Sequence, residues 1–434
     1  MNWGFNEIAC NLVNKLKEVM IMKRQLVLFS VVALASCQTL DQSLRSVDSA
    51  LAVVHSGTAK SITAITSSHD PSEALKESLH QRSEYYKQHP EAITADIRAV
   101  KRDFDKLMSL LKGKAGKQWG KKETKVPTKK QYVKYTQNYQ SRAVVDFDQG
   151  EVMVETLDDR DPNGSLRNAI VTTLLTSDDP RSVDLFSDKA VTLSSDEEPY
   201  LKGLVLDQKG KSISDPRSAE AFADYLIQQK KQQRKIDVDG ASKNSTYVKI
   251  AMVGNFSNKQ AQKYSKMVNR YASQYNISPS LVYAVIRTES NFNPYAVSPV
   301  PAYGLMQLVP SSGGRDAYRR ATGNDGVPSK EYLFDADNNI ELGSAYLNVL
   351  AYNQLDMVQN EVSREYCVIS AYNTGAGNVL KTFSRDRTEA VNSINRKSPS
   401  EVYAKLRSGL PYEETRNYLE KVVGYRKEFI APVN

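Results

Sequence analysis

The spacing of apolar positions divides the chain. From residue 70 to 112 they recur at helical steps, through Leu75, Leu79, Ile93, Ile97, Val100, Phe104, Leu107 and Leu111, with a break at His89 and Pro90. Short strand-like runs follow at 132–136, 142–147 and 151–156, and the last two, separated by Asp148, Gln149 and Gly150, read as a hairpin. Helices are predicted over 166–175 and 218–231, and a strand over 247–253, with the polar stretch 240–244 read as a loop or boundary. After Gly254, Asn255 and Phe256 the pattern is helical to the end. One late segment stands out. Leu281, Val282, Val285 and Ile286 form an apolar face, opened by an N-cap signal at Ser278 and a first-turn Pro279. Glu289 lies four residues after Val285 and three after Ile286, so it continues that face.

A carboxyl in that position is desolvated and sits at the negative end of the helix dipole. Both effects disfavour its charge and raise its pKa, which makes a general acid that still holds a proton near neutral pH. The alternative is a surface glutamate on a helix that ends a turn early. The pattern as a whole predicts an α+β protein, with an N-terminal α+β domain over 37–254 and a mostly helical domain over 255–434.

Composition narrows the chemistry. Three cysteines, Cys10, Cys37 and Cys367, show no metal-ligand or redox spacing. All four histidines precede residue 90, which excludes a histidine triad or a histidine-ligated zinc site from the C-terminal half. No cofactor and no metal are expected. The formal net charge of +8 favours an anionic partner or surface. Much of it is local, since Lys112, Lys114, Lys117, Lys121, Lys122, Lys125, Lys129 and Lys130 crowd one stretch with a single acid, Glu123. With Gly113, Gly116, Gly120 and Pro127 as breakers, this run reads as a solvated linker. Its only aromatic is Trp119, so nucleic-acid binding is not favoured. No catalytic constellation is visible in the N-terminal domain.

The N-terminus reads as an address. Lys23 and Arg24 precede an apolar run over 26–34 that is too short to span a bilayer. Leu34, Ala35, Ser36 and Cys37 resemble a bacterial lipobox, which implies a signal peptide over 1–36 and a lipid on Cys37. The reading places the start at Met22. Gln38 in place of an aspartate implies the inner leaflet of the outer membrane, with the protein facing the periplasm.

Four segments after residue 280 draw together: Glu289-Ser290; Gly304-Leu305-Met306-Gln307; Ala371-Tyr372-Asn373 running into Thr374-Gly375-Ala376-Gly377-Asn378; and Glu414-Thr415-Arg416-Asn417-Tyr418. In this order and spacing they resemble the lysozyme-like soluble lytic transglycosylase family, as do Phe334-Asp335, Asn339-Ile340, Gly343 and Tyr346-Leu347 between them. The resemblance covers roughly residues 260–434. It implies a lysozyme-like fold acting on peptidoglycan glycan strands. Such a protein cleaves the MurNAc-β-1,4-GlcNAc bond without water and leaves 1,6-anhydro ends. It also implies Glu289 as the single acid and base, with Ser298 and Tyr418 in catalytic roles and Ser290, Gln307, Tyr372 and Asn373 as substrate contacts. Leu305 and Met306 read as core, Asn373 also as a brace for the glycine turn, and Ser298, Gln307 and Tyr418 have plain structural alternatives. No Asp or Glu occurs from Ser290 through Arg315, so the second carboxylate of most glycosidases is missing nearby in sequence. Pro299 and Pro301 beside Ser298 depart from the family's small polar residues and stiffen that loop. A hydrolytic lysozyme on the same fold and a weakly catalytic wall-binding scaffold are the rival readings.

Overall fold

The computed structural model describes residues 71–191 and 198–430. The expected signal sequence and Cys37 lie outside them, and among the described residues no helix is long and apolar enough to cross a membrane. Helix α1 (Pro71–Gln88) turns at His89 into α2 (Pro90–Glu123). The two are held together where Arg82 grips the buried Asp96 carboxylate through two hydrogen bonds of 2.8 and 3.0 Å. Five antiparallel strands follow in the order β1 (Gln131–Thr136), β2 (Ser141–Asp146), β3 (Glu151–Thr156), β5 (Ala241–Ala251), β4 (Gln232–Val238). Helices α3 (Pro162–Leu174) and α4 (Pro216–Gln229) lie between β3 and β4 in sequence.

Two expectations are corrected here. The lysine-rich stretch is not a linker over its first part, because α2 runs on through it as far as Glu123. Leu111, Ala115 and Trp119, spaced at four residues, bury a continuous stripe, so Gly113 and Gly116 are tolerated as helical residues. The helix breaks only at Gly120, whose φ is 72° and where a Cβ would lie 2.9 Å from the Val238 Cα. Nor is 240–244 a loop beyond its first residue. Residues 241–244 open β5, which pairs with β4 through a two-residue turn at Asp239 and Gly240, both with positive φ.

The rest of the described chain is helical: α5 (Phe256–Lys263), α6 (Ser265–Gln274), α7 (Pro279–Glu289), α8 (Gly313–Thr322), α9 (Lys330–Phe334), α10 (Ala336–Val349), α11 (Glu361–Thr374), α12 (Ala376–Lys381), α13 (Arg387–Asn395), α14 (Pro399–Gly409) and α15 (Glu413–Arg426). Helix α7 sits at the centre, with Leu281, Val282, Val285 and Ile286 all buried. Pro279 opens it, but the Ser278 hydroxyl caps nothing and instead meets Ser280 at 2.8 Å. One continuous apolar core runs through both halves. At the junction Tyr295 packs against Tyr132 and Tyr200 with ring centroids 4.7 and 5.2 Å apart, and its hydroxyl donates to the Ser177 carbonyl.

Candidate active site

Glu289 is the last residue of α7 and is 4% exposed. The chain turns sharply after it, with Asn291 and Phe292 both at positive φ. Asparagine tolerates that region, whereas phenylalanine is strained in it. The turn is held from the sheet half, where the Asn291 side chain donates to the Phe147 carbonyl. Glu289 faces a cleft of about 640 Å³ whose walls carry Ser298, Gln307, Tyr372, Asn373, Glu414 and Lys129. Burial raises the Glu289 pKa above the ordinary 4.5, and the Lys129 cation works in the opposite direction without cancelling it.

The loop from 303 to 307 brings Gln307 to the cleft and is clamped by one buried amide. The Asn339 side chain accepts from the Met306 N–H at 2.8 Å and donates to the carbonyls of Tyr303 and Leu333 at 2.9 and 2.7 Å. Gly304 makes this approach feasible, having a φ of 74° and a backbone so close that a Cβ would lie 2.4 Å from the Leu333 oxygen. Leu305 and Met306 are core. Gln307 is held with a φ of 49°, and its amide nitrogen donates to Ala296 and Gly304 at 2.9 and 3.0 Å. Its amide oxygen is buried with no hydrogen-bond partner.

Of the other predicted residues, Tyr372 lines the cleft and donates to the Met306 carbonyl at 2.9 Å. Asn373 also lines it, but its side chain accepts from the Thr415 hydroxyl at 2.6 Å and so braces α11 to α15. The glycine turn is braced instead by Asn378, which donates to the Thr374 carbonyl at 3.0 Å. Ser298 lines the cleft with its hydroxyl turned to the Val300 carbonyl. Tyr418 is buried next to Glu289, and its hydroxyl closes no hydrogen bond of normal geometry. Burial first and the Glu289 carboxylate second push its ionisation well above the ordinary tyrosine value. Ser290 is not brought to the cleft. It is fully buried, and its hydroxyl ties the Ile286 and Leu305 carbonyls together.

Three contributors escaped the sequence. Glu414 supplies a second carboxylate to the cleft, far away in the chain and 75% exposed. Asn339 drew notice only as part of a motif, yet it shapes the wall. Lys129 reaches the cleft from the N-terminal domain, with its ammonium 3.3 Å from Glu289 and 3.6 Å from Glu414. Nothing local marks it, because it lies beyond the end of α2 and is held by Val297 and Asn293, far away in the chain. Among the described residues no cluster of His, Cys, Asp and Glu is arranged to hold a metal.

Comparison with known proteins places these features in context. Residues 97–293 match the family model for the N-terminal domain of membrane-bound lytic murein transglycosylase C, and residues 266–395 match the transglycosylase SLT domain. The chain is 45% identical over 311 residues to the membrane-bound lytic murein transglycosylase C of Yersinia enterocolitica, across 72% of this chain and 85% of that protein. The same figures hold for the protein of that name from Serratia proteamaculans. Among solved structures it resembles the 70-kDa soluble lytic transglycosylase of Escherichia coli at 31% identity, covering 38% of this chain and 23% of that one with a TM-score of 0.30. A complex of the 70-kDa soluble lytic transglycosylase with bulgecin A matches at 30% identity over 39% of this chain and 25% of the other, with a TM-score of 0.31.

Proposed function

Because this chain belongs to the membrane-bound lytic murein transglycosylase C family and is a lytic transglycosylase of peptidoglycan, we propose that Glu289 serves as its sole acid and base. The observation that carries this reading is a buried carboxyl with a raised pKa on the wall of a cleft of about 640 Å³. The only other acid lining that cleft, Glu414, is exposed and engaged by Lys129.

In the first half of the reaction the protonated Glu289 gives its proton to the oxygen joining MurNAc to GlcNAc. The bond from that oxygen to the MurNAc C1 breaks and the GlcNAc-ended strand leaves. Positive charge at C1 is relieved by the sugar's own N-acetyl oxygen, so no carboxylate nucleophile is required. In the second half the Glu289 carboxylate takes the proton of the MurNAc 6-hydroxyl as that oxygen bonds to C1. This closes the 1,6-anhydro ring and returns Glu289 to its acid form. The unpartnered Gln307 oxygen accepts from an N–H or hydroxyl of the bound sugar, and the Tyr418 hydroxyl donates to Glu289 or to the sugar once the cleft is filled. Tyr372 and Asn373 shape the wall, and Ser298 reaches substrate only after leaving the Val300 carbonyl.

The protein's placement follows the same proposal. A lipid on Cys37 anchors it to the inner leaflet of the outer membrane, with the cleft in the periplasm facing the wall polymer. The relatives are named membrane-bound, which supports an anchor of this kind. We also place the division between its two domains at residues 254 and 255, where β5 gives way to α5. The deciding experiment is mass spectrometry of muropeptides released from purified sacculi by the protein lacking residues 1–37. Anhydro ends, lighter by one water than reducing ends, support the mechanism, whereas reducing ends make the protein a hydrolase. Glu289→Gln should abolish release while the protein still sediments with sacculi.

A further inference from the structure

Lys129 reaches the cleft from outside the helical half, and its backbone is fixed on both sides. The Thr128 carbonyl accepts from the Val297 N–H at 3.4 Å, and the Lys129 carbonyl accepts from the Asn293 side chain at 3.2 Å. Next to it, the Lys130 ammonium donates to the Arg287 carbonyl near the end of α7 at 2.8 Å. The Lys129 side chain is therefore delivered to Glu289 by a segment bonded to the helix end and turn that carry Glu289.

Burial alone serves only half of the reaction. A desolvated carboxyl keeps its proton, but once that proton is given away the bare carboxylate must persist in a dry site until it takes the next one. We propose that Lys129 is a positioning residue that acts through Glu289, stabilising its carboxylate during the base half of the reaction, with Glu414 competing for the same ammonium. The proposal rests on Glu289 being the acid and base.

The charged and titratable groups facing Glu289 are few. The segment before β1 supplies Lys129 and, farther off, Lys130, whose ammonium is shared with Asp148 at 3.4 Å. Helix α11 supplies Tyr372, and α15 supplies Glu414 and Tyr418. Arg287 on α7 itself is occupied by Glu428 and stacks on Tyr425 with its guanidinium 4.3 Å from the ring centroid. Lys129 is thus the only one of these cations in direct contact with the Glu289 carboxylate. Both acids raise the affinity of Lys129 for its proton, more than offsetting the burial that lowers it, so it stays charged across the working range.

The test is the pH profile of initial muropeptide release from sacculi by wild type, Lys129→Met, Lys129→Arg and Glu414→Gln. Loss of the cation should move the alkaline limb of kcat/KM about one pH unit upward or more. Lys129→Arg should return the limb to its wild-type position. Glu414→Gln leaves the ammonium wholly to Glu289 and removes a repelling charge, so its limb should move downward. Glu414 is three-quarters exposed, so that variant keeps the fold and stands independently of any damage at Lys129. A purely structural lysine would lower the rate at every pH and leave the limb in place. Such a result, or a Glu414→Gln limb that rises, overturns the proposal. A Glu289→Gln protein that still cleaves overturns the reading beneath it, whereas an inactive Glu289→Gln with an unmoved Lys129→Met limb overturns this inference alone.

Discussion

The free energy of Glu289 ties its chemistry to the stability of the fold. Burial raises its pKa above the ordinary 4.5, so between those two values the folded protein retains a proton that the unfolded chain has released. The group's contribution to stability is therefore full below the ordinary value and declines as pH rises through the raised one. Glu289→Gln removes that decline. Thermal melts from about pH 4 to about pH 8 should show the variant gaining on wild type as pH rises. A constant gap would mean the carboxyl is ionised as freely as in water. Its loss should also cut muropeptide release by about 10²-fold or more, the usual weight of a general acid. Tyr418 offers the complementary case. Its buried hydroxyl lies beside Glu289 without closing a hydrogen bond of normal geometry, so Tyr418→Phe should cost little stability, while release slows about tenfold if the phenol bonds fully only when the cleft is filled. Equal losses in melting temperature and rate would make the ring a plain packing element.

At the scale of the element, what the sequence could disclose depended on whether a signal was local. The face of α7 was legible because its burial repeats along one helix, and the β2–β3 hairpin because a glycine turn joins two strand-like runs. The Asp239-Gly240 turn is an equally local signal, obscured by the polar run that continues to Asn244 and gives the start of β5 the look of a loop. The length of α2 beyond Leu111 is masked because lysines on one face obscure the four-residue step from Leu111 to Ala115 and Trp119 on the other. The bond between Asn373 and Thr415 was illegible in principle, since it joins residues 42 apart that meet only after α11 and α15 pack. The loop beside Gln307 shows how strictly an element can depend on one position. Gly304→Ala would drive a methyl into the Leu333 carbonyl and the Asn339 amide while also demanding a positive φ. It should destabilise the protein by about 2–3 kcal/mol in urea unfolding and slow release further by displacing Gln307. Unchanged stability would show that the Asn339 clamp yields easily.

For the whole molecule, an N-terminal domain that helps build the cleft can hold Lys129 in place only if the two halves share their stability. The sequence suggested a junction near residue 254 because the pattern changes there. It could not reveal that Tyr132, Tyr200 and Tyr295 converge across that junction, since convergence belongs to the packing and not to any local run. A core continuous through both halves should make them unfold together. The protein lacking residues 1–37 carries a reporter in each half, because it keeps Trp119 as its one tryptophan and Cys367 as its one cysteine. Trp119 is buried against Arg142 in the sheet half. Cys367 is buried in α11, where desolvation pushes its thiol up to about 12, so it reacts only when the helical half opens. Trp119 fluorescence and Cys367 alkylation should therefore follow one urea transition. Tyr295→Ala should shift both midpoints by the same amount, equivalent to about 3–5 kcal/mol for a large aromatic removed from a core. If the thiol became reactive while Trp119 remained native, the halves would be separable, and the contact between Lys129 and Glu289 would have to be maintained by the segment at 128–130 alone.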